Sequence, residues 1–244
     1  MIYQQFDPHP ALMPYIDAYW IAKGDSSGPN TERILPDGCI DIILNSGADC
    51  LTEENTYLLA NRKTYLIGTM TRFKENLMNS GTNLIGIRFK PAGFSAFYDH
   101  SSVYKLTDET IEFNQKVAPD LENTVEYFTA YLDHFFLKIL SKPKRSLAPL
   151  ITDIQDRHGQ ISVNTLADKY FTTVRQLQRH FNEYLGISPK EFINLVRYQS
   201  ALDKIRNNTT NKSLAEIAFE SGYYDHSHLT NEIKKYTGAP PAAF

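Results

Sequence analysis

One pattern occurs twice in the last hundred residues, and it restricts what the chain can fold into more than any other feature. The first copy is residues 166–181 (LADKYFTTVRQLQRHF) and the second is residues 217–233 (IAFESGYYDHSHLTNEI). Each predicts a short helix holding an alanine (Ala167, Ala218), a brief turn, and a second helix opened by Thr173 or Asp225. The alanines are small because two helices cross closely there. Thr173 and Asp225 are N-cap residues, whose side-chain oxygens accept free N–H groups of the first turn. Leu177 and Phe181, and again Leu229 and Ile233, stand four apart and share one inward face. Two helices joined in this way form a helix-turn-helix unit, so the region predicts two such units in tandem.

The segment between the copies carries readable stop and start signals. Ser188-Pro189-Lys190-Glu191 predicts a capping box with proline at the first helical position, and Ser213-Leu214-Ala215-Glu216 a second box. Gly186 and Gly238 stand where left-handed helix ends belong. A helix over residues 189–206 spans roughly 27 Å at 1.5 Å per residue. Such a rod can hold two recognition helices about one DNA turn apart, ~34 Å.

Upstream the periodicity differs. Residues 39–44, 64–72 and 83–90 are rich in β-branched and apolar residues and predict strands, the first entered through a Pro36-Asp37-Gly38 turn. Short helices are expected over residues 11–19 and 92–98. From Pro119 apolar residues recur at spacings of three and four (Leu121, Val125, Phe128, Leu132, Phe135, Phe136, Ile139, Leu140), which predicts an amphipathic helix. The expected fold is α+β in two domains. A β-rich, barrel-like domain occupies residues 1–118, an amphipathic helix 119–141, a linker 142–145, and an all-α, seven-helix double helix-turn-helix domain 146–244. The helix face bearing Phe128, Leu132, Phe135 and Phe136 is broad enough to predict a symmetric dimer interface.

Charge agrees with this division. Residues 145–244 hold 12 Lys and Arg against 10 Asp and Glu, a net +2, and the rest holds 13 against 18, a net −5. No apolar run approaches the ~18–20 residues that span a bilayer. The first residues lack the basic and apolar regions of a signal peptide, so the expected compartment is the cytoplasm. Two cysteines, Cys39 and Cys50, are too few for a disulfide scaffold or a cysteine zinc site. His9, His100 and His134 are scattered outside any ligand spacing, so neither a metal nor a cofactor is expected.

Residues 161–244 resemble the AraC/XylS-type DNA-binding domain. The marks are Leu166-Ala167, residues 177–181 (LQRHF), Gly186-Ile187-Ser188-Pro189, Arg197, Ala201, Glu216-Ile217-Ala218, Gly222-Tyr223, Asp225-His226-Ser227-His228 and Gly238-Ala239-Pro240, in order and at the right spacings. The resemblance implies a regulator of transcription. Its partners would be double-stranded DNA, RNA polymerase, a small-molecule effector and a second copy of the chain, with no membrane and no chemical step. It implies that Arg175, Gln178, Arg179 and Asn182 face the major groove in the first unit, and His226, Ser227, Thr230 and Asn231 in the second. Arg pairs bidentately with guanine and Gln with adenine, so their chemistry suits base readout. The chain departs from the family at Asn231, where Arg is usual, and at Leu229 and Ile233, where Phe is usual.

Residues 35–43 (LPDGCIDII) and 86–94 (GIRFKPAGF) resemble a β-rich domain often found ahead of AraC-type domains, and a small cupin-like barrel fits it. The resemblance implies a sensory or dimerising role. Tyr19, Trp20, Asp41, Arg88 and Phe94 are the candidate ligand residues, with Phe97 and Tyr98 as further aromatics. Asp41 and Arg88 are polar within apolar strands, and so face either solvent or a polar pocket. Two alternatives come from other classes. One is a DNA-tethered enzyme using Cys39, which would need a depressed thiol pKa. The other is a ligand-binding protein whose helical domain has lost DNA affinity.

Overall fold

The computed structural model describes residues 2–25, 30–52, 57–98, 103–114, 117–119, 127–141 and 146–244. The expected linker, 142–145, lies outside them, as does the opening of the amphipathic helix over 120–126.

Among the described residues, ten strands build the amino-terminal domain: β1 (Ile2–Phe6), β2 (Ile16–Lys23), β3 (Asn30–Ile34), β4 (Ile40–Asn45), β5 (Cys50–Thr52), β6 (Tyr57–Leu59), β7 (Lys63–Ile67), β8 (Lys74–Met78), β9 (Asn83–Phe89) and β10 (Thr110–Glu112). They form a six-stranded sheet of order β1-β2-β9-β4-β7-β10 and a four-stranded sheet of order β3-β8-β5-β6. The three strands expected from sequence are β4, β7 and β9, at the middle of the larger sheet. The domain is β-rich as expected, but the barrel is open: among the described residues no ladder joins the two sheets into a closed ring.

Strand alternation divides the apolar residues between two cores. One face of the larger sheet carries Tyr19, Ile42, Leu44, Ile87 and Phe89, which pack under helix α1 (Phe128–Ile139). The other face carries Trp20, Ile43, Tyr65 and Leu84, which meet Cys50, Leu59 and Met78 of the smaller sheet. Phe128, Leu132 and Phe136 of α1 are buried against their own sheet, which uses up the face expected to form a dimer. The expected helix over 11–19 is absent. Leu12 and Tyr15 close a turn by N–H bonds to the carbonyls of His9 and Leu12, and β2 begins at Ile16. Pro14 in that stretch cannot donate a helical bond. The expected helix over 92–98 is a single 3-10 turn, Gly93–Ala96.

The carboxy-terminal domain contains α2 (Ala148–Asp156), α3 (Val163–Lys169), α4 (Val174–Tyr184), α5 (Pro189–Arg206), α6 (Leu214–Glu220), α7 (His226–Thr237) and a closing 3-10 turn, Pro241–Ala243. Leu166, Leu177, Phe181, Phe192, Tyr198, Leu229, Ile233 and Tyr236 belong to one core that runs through both units. Tyr198 of α5 stacks on Tyr236 of α7 at 4.5 Å between ring centroids, which fastens the second unit to the rod.

Among the described residues, the two domains are hydrogen-bonded at the end of α4, along α5 and at the end of α7. At the end of α4, the Thr69 hydroxyl donates to the Leu185 carbonyl (2.6 Å) and the Thr107 hydroxyl to the Gly186 carbonyl (2.7 Å). Along α5, the Gln199 amide donates to the Pro36 carbonyl (3.2 Å). At the end of α7, the Arg33 guanidinium donates to the Thr237 carbonyl (2.9 Å). Leu35 and Ala92 add apolar contact to the helical core.

Candidate nucleic-acid interface and a half-buried ion cluster

Each helix of the repeat is set by its cap. Thr173 accepts from the Gln176 N–H while the Gln176 side chain accepts from the Thr173 N–H, a complete capping box. Asp225 accepts from the His228 N–H at 2.7 Å, and Ser213 and Glu216 form a second box. At α5 only one half of the expected box is present: Ser188 accepts from the Glu191 N–H. Buried Leu177 and Phe181, and buried Leu229 and Ile233, fix the rotation of α4 and α7 about their axes.

That rotation turns Arg175, Gln178 and Arg179 outward, all three exposed. Asn182 is half-buried and accepts from the Gln178 amide at 3.2 Å, so these two form a pair along the helix. On α7, His226, Ser227 and Asn231 are exposed. Thr230 is half-buried and its hydroxyl donates to the His226 carbonyl at 2.7 Å, turned onto its own helix. His228 packs edge-on against Tyr223 at 5.2 Å. Arg197 lies over the Tyr223 ring, 4.9 Å from its centroid, and donates to Asn194 at 2.7 Å. It braces the turn of the second unit against α5.

The amino-terminal ligand candidates separate by sheet face. Tyr19 and Phe94 lie in the core beneath α1. The Tyr19 hydroxyl donates to Asp133 at 3.0 Å, and Phe94 stacks on Tyr98 at 4.9 Å. Trp20, Asp41 and Arg88 come together on the opposite face of three adjacent strands, with Asp41 paired to Arg88 across β4 and β9. The Trp20 indole donates to Asp41 at 2.9 Å. Arg88 lies 3.5 Å from each of Asp41 and Asp37. Gly86 makes this possible: a Cβ there would stand 1.9 Å from the indole. Burial raises the Asp41 pKa, against the Arg88 charge and the indole N–H, which both lower it. Burial, with the Asp37 charge, likewise pushes the Cys39 thiol well above its ordinary value, opposite to what a nucleophilic thiolate requires.

Residues 166–244 match a family described as a helix-turn-helix domain. Residues 4–112 match a domain of unknown function, DUF6597. The HTH-type transcriptional activator RhaS of Enterobacter sp. (strain 638) is 24% identical over 153 residues, which cover 56% of this chain and 54% of that protein. An uncharacterized HTH-type transcriptional regulator of Haemophilus influenzae is 28% identical over 101 residues, 41% of this chain and 33% of its own length. Among solved structures, an apo variant of ToxT from Vibrio cholerae strain SCE256 superposes over 92% of this chain and 96% of its own, with a TM-score of 0.50 and 12% identity.

Residues 166–244 carry a helix-turn-helix domain, and the chain is similar to regulators of the AraC/XylS type. The helix-turn-helix domain sits behind a β-rich domain, and the ToxT likeness extends to this two-domain order as a matter of fold. The chain spans about half the length of the RhaS protein it matches. Among the described residues, no helix is long and apolar enough to cross a membrane.

Proposed function

We propose that this chain is a sequence-specific DNA-binding regulator of transcription. One observation carries the reading: two capped, outward-turned helices on one core, the first presenting Arg175, Gln178 and Arg179 together. Helices of this kind enter successive major grooves, where the exposed side chains meet base edges. The reading names double-stranded DNA as partner and RNA polymerase as the downstream target. It assigns effector sensing to the amino-terminal domain, with Trp20, Asp41 and Arg88 as the residues placed to meet an effector. A homodimer is part of the reading, with an interface away from the Leu132 and Phe136 face.

Arg179→Ala tests the reading directly. It is expected to cost on the order of 1–3 kcal/mol at the cognate site, roughly 5- to 150-fold in affinity, and to relax base preference at one position. Titration of the variant against the site selected by the wild-type chain decides it. Unchanged affinity with unchanged preference removes α4 from the reading role.

The two units contribute unequally. Asn231 replaces the family's usual Arg, and the Thr230 hydroxyl is bound to its own helix. Base changes under α7 are expected to weaken binding less than changes under α4. Footprints on half-site variants measure this, and equal losses at both half-sites refute it.

A further inference from the structure

We propose that the amino-terminal domain grips the same backbone atom in both halves of the internal repeat, which makes Thr69, Thr107 and Arg33 positioning residues for the two DNA-facing helices. The inference rests on the DNA-binding reading above.

The two acceptors are equivalent in the repeat. Leu185 stands 12 residues beyond the cap Thr173, and Thr237 stands 12 residues beyond the cap Asp225. Gly186 and Gly238 follow at the next position in each unit, both left-handed, with φ of 88° and 71°. At the end of a helix the last carbonyls have no partner within the helix, and they form the negative end of its dipole. In both units the amino-terminal domain supplies the missing donor. Thr69 donates to the Leu185 carbonyl, and Arg33 to the Thr237 carbonyl.

The glycines make the approach close. A Cβ on Gly186 would lie 2.8 Å from the Thr107 hydroxyl and 3.1 Å from the Val103 carbonyl. A Cβ on Gly238 would lie 2.5 Å from the Phe73 ring. Arg33 is itself held in place: it lies over Phe73 at 4.8 Å and pairs with Glu75 on the neighbouring strand at 2.6 Å. The two grips come from different parts of the domain. One uses the segment after β7 and the turn before β10, and the other uses β3 with the segment entering β8. The repeat therefore does not explain the doubling. Two unlike surfaces have been fitted to one target.

The grip leaves the reading faces open. Arg175, Arg179, His226 and Asn231 are exposed while the carboxyl ends behind them are docked. With Gln199 on the Pro36 carbonyl as a third point, the domain fixes the tilt of α4 relative to α7. That tilt matters because one added base pair moves a half-site by ~3.4 Å along the duplex and rotates it by roughly 35°.

The experiment uses the full chain and three duplexes. The first is the site that the chain selects from a random-sequence pool. The second is that site with the half under α7 scrambled. The third is that site with one base pair inserted between its halves. Wild type is expected to lose roughly tenfold on the insertion, the scale of a mispositioned base contact. Thr69→Val with Thr107→Val, and separately Arg33→Ala, are expected to bind the scrambled duplex like wild type. They should lose roughly fivefold or more on the intact site and show little further loss on the insertion. Thr69→Ser with Thr107→Ser keeps both hydroxyls and should behave as wild type.

Four results overturn the proposal. The valine and alanine variants could retain both the affinity and the insertion penalty. They could bind the intact site more tightly, which would make the grip a brake. They could lose equally on the intact and scrambled duplexes, or the serine variant could fail with them, which would make the residues structural only. Failure of the wild-type chain to bind any selected duplex would instead sink the DNA-binding reading.

Discussion

Phe136→Ala is expected to destabilise the amino-terminal domain by about 3–5 kcal/mol, the range for emptying a large aromatic site in a packed core. Phe136 has no exposed surface. Its ring meets Phe97 edge-on at 5.0 Å, Phe89 at 5.6 Å and Phe135 at 5.2 Å, and stacks on Tyr19 at 6.5 Å. No small neighbouring motion refills that volume, because the surrounding groups are rings held by strands on one side and α1 on the other. Urea unfolding followed by near-ultraviolet circular dichroism, which reports this aromatic cluster, should show an earlier transition. The helical signal of the carboxy-terminal domain should persist beyond it. If the variant kept the wild-type midpoint and changed only its oligomeric state, the face would be an interface after all. The same reasoning covers Leu132, also without exposed surface.

The second large effect is expected at Arg88. Arg88→Met leaves the half-buried Asp41 without the Arg88 charge, and breaking one side of such a pair costs up to about 3–5 kcal/mol, the value for full burial. The loss should depend on pH with a definite sign. Burial already raises the Asp41 pKa with Arg88 present, and Arg88 acts to lower it. Without Arg88 it rises further. A carboxyl raised in the folded state binds its proton more tightly there than in the unfolded chain. Acidification therefore favours the folded variant, and the deficit reopens as pH rises through the folded-state pKa. Urea midpoints at pH 5 and pH 7.5 measure this. The gap between wild type and variant should narrow at the lower pH, and a gap independent of pH refutes the account. Adding Asp41→Asn to Arg88→Met should recover most of the loss, because the two residues act as one unit.

What the chain announced in advance follows from the range of each interaction. Caps bind backbone three residues away, so Thr173, Ser188, Ser213 and Asp225 could be read directly, as could the left-handed stops at Gly186 and Gly238. The inward and outward faces of α4 and α7 follow from helical spacing in the same way. Sheet order has no such local mark. Period two dictates that adjacent Tyr19 and Trp20 face opposite sides, but which of them meets Asp41 and Arg88 depends on a register set across three strands. The breadth of the α1 face was visible. Its partner was not, because the rings that cover it come from β1, β2, β9 and the segment after β9. Pro14 was a warning against helix at 11–19 that the apolar spacing masked. Arg33, Thr69 and Thr107 gave no signal at all, since their partners lie between 79 and 204 residues away.

The indole that closes over the Asp41 carboxyl is the only tryptophan of the 244 residues. Its emission therefore comes from a single place in the molecule, a donor nitrogen bound to one of the carboxylates flanking Arg88. Protonation of Asp41, or a solute that displaces the indole from it, changes the polarity at that nitrogen, and with it the wavelength and yield of the emitted light. The chain thus carries its own optical reporter at the ion cluster. Occupancy there can be followed on the unlabelled protein by exciting at the red edge of the indole band, where the fifteen tyrosines absorb little.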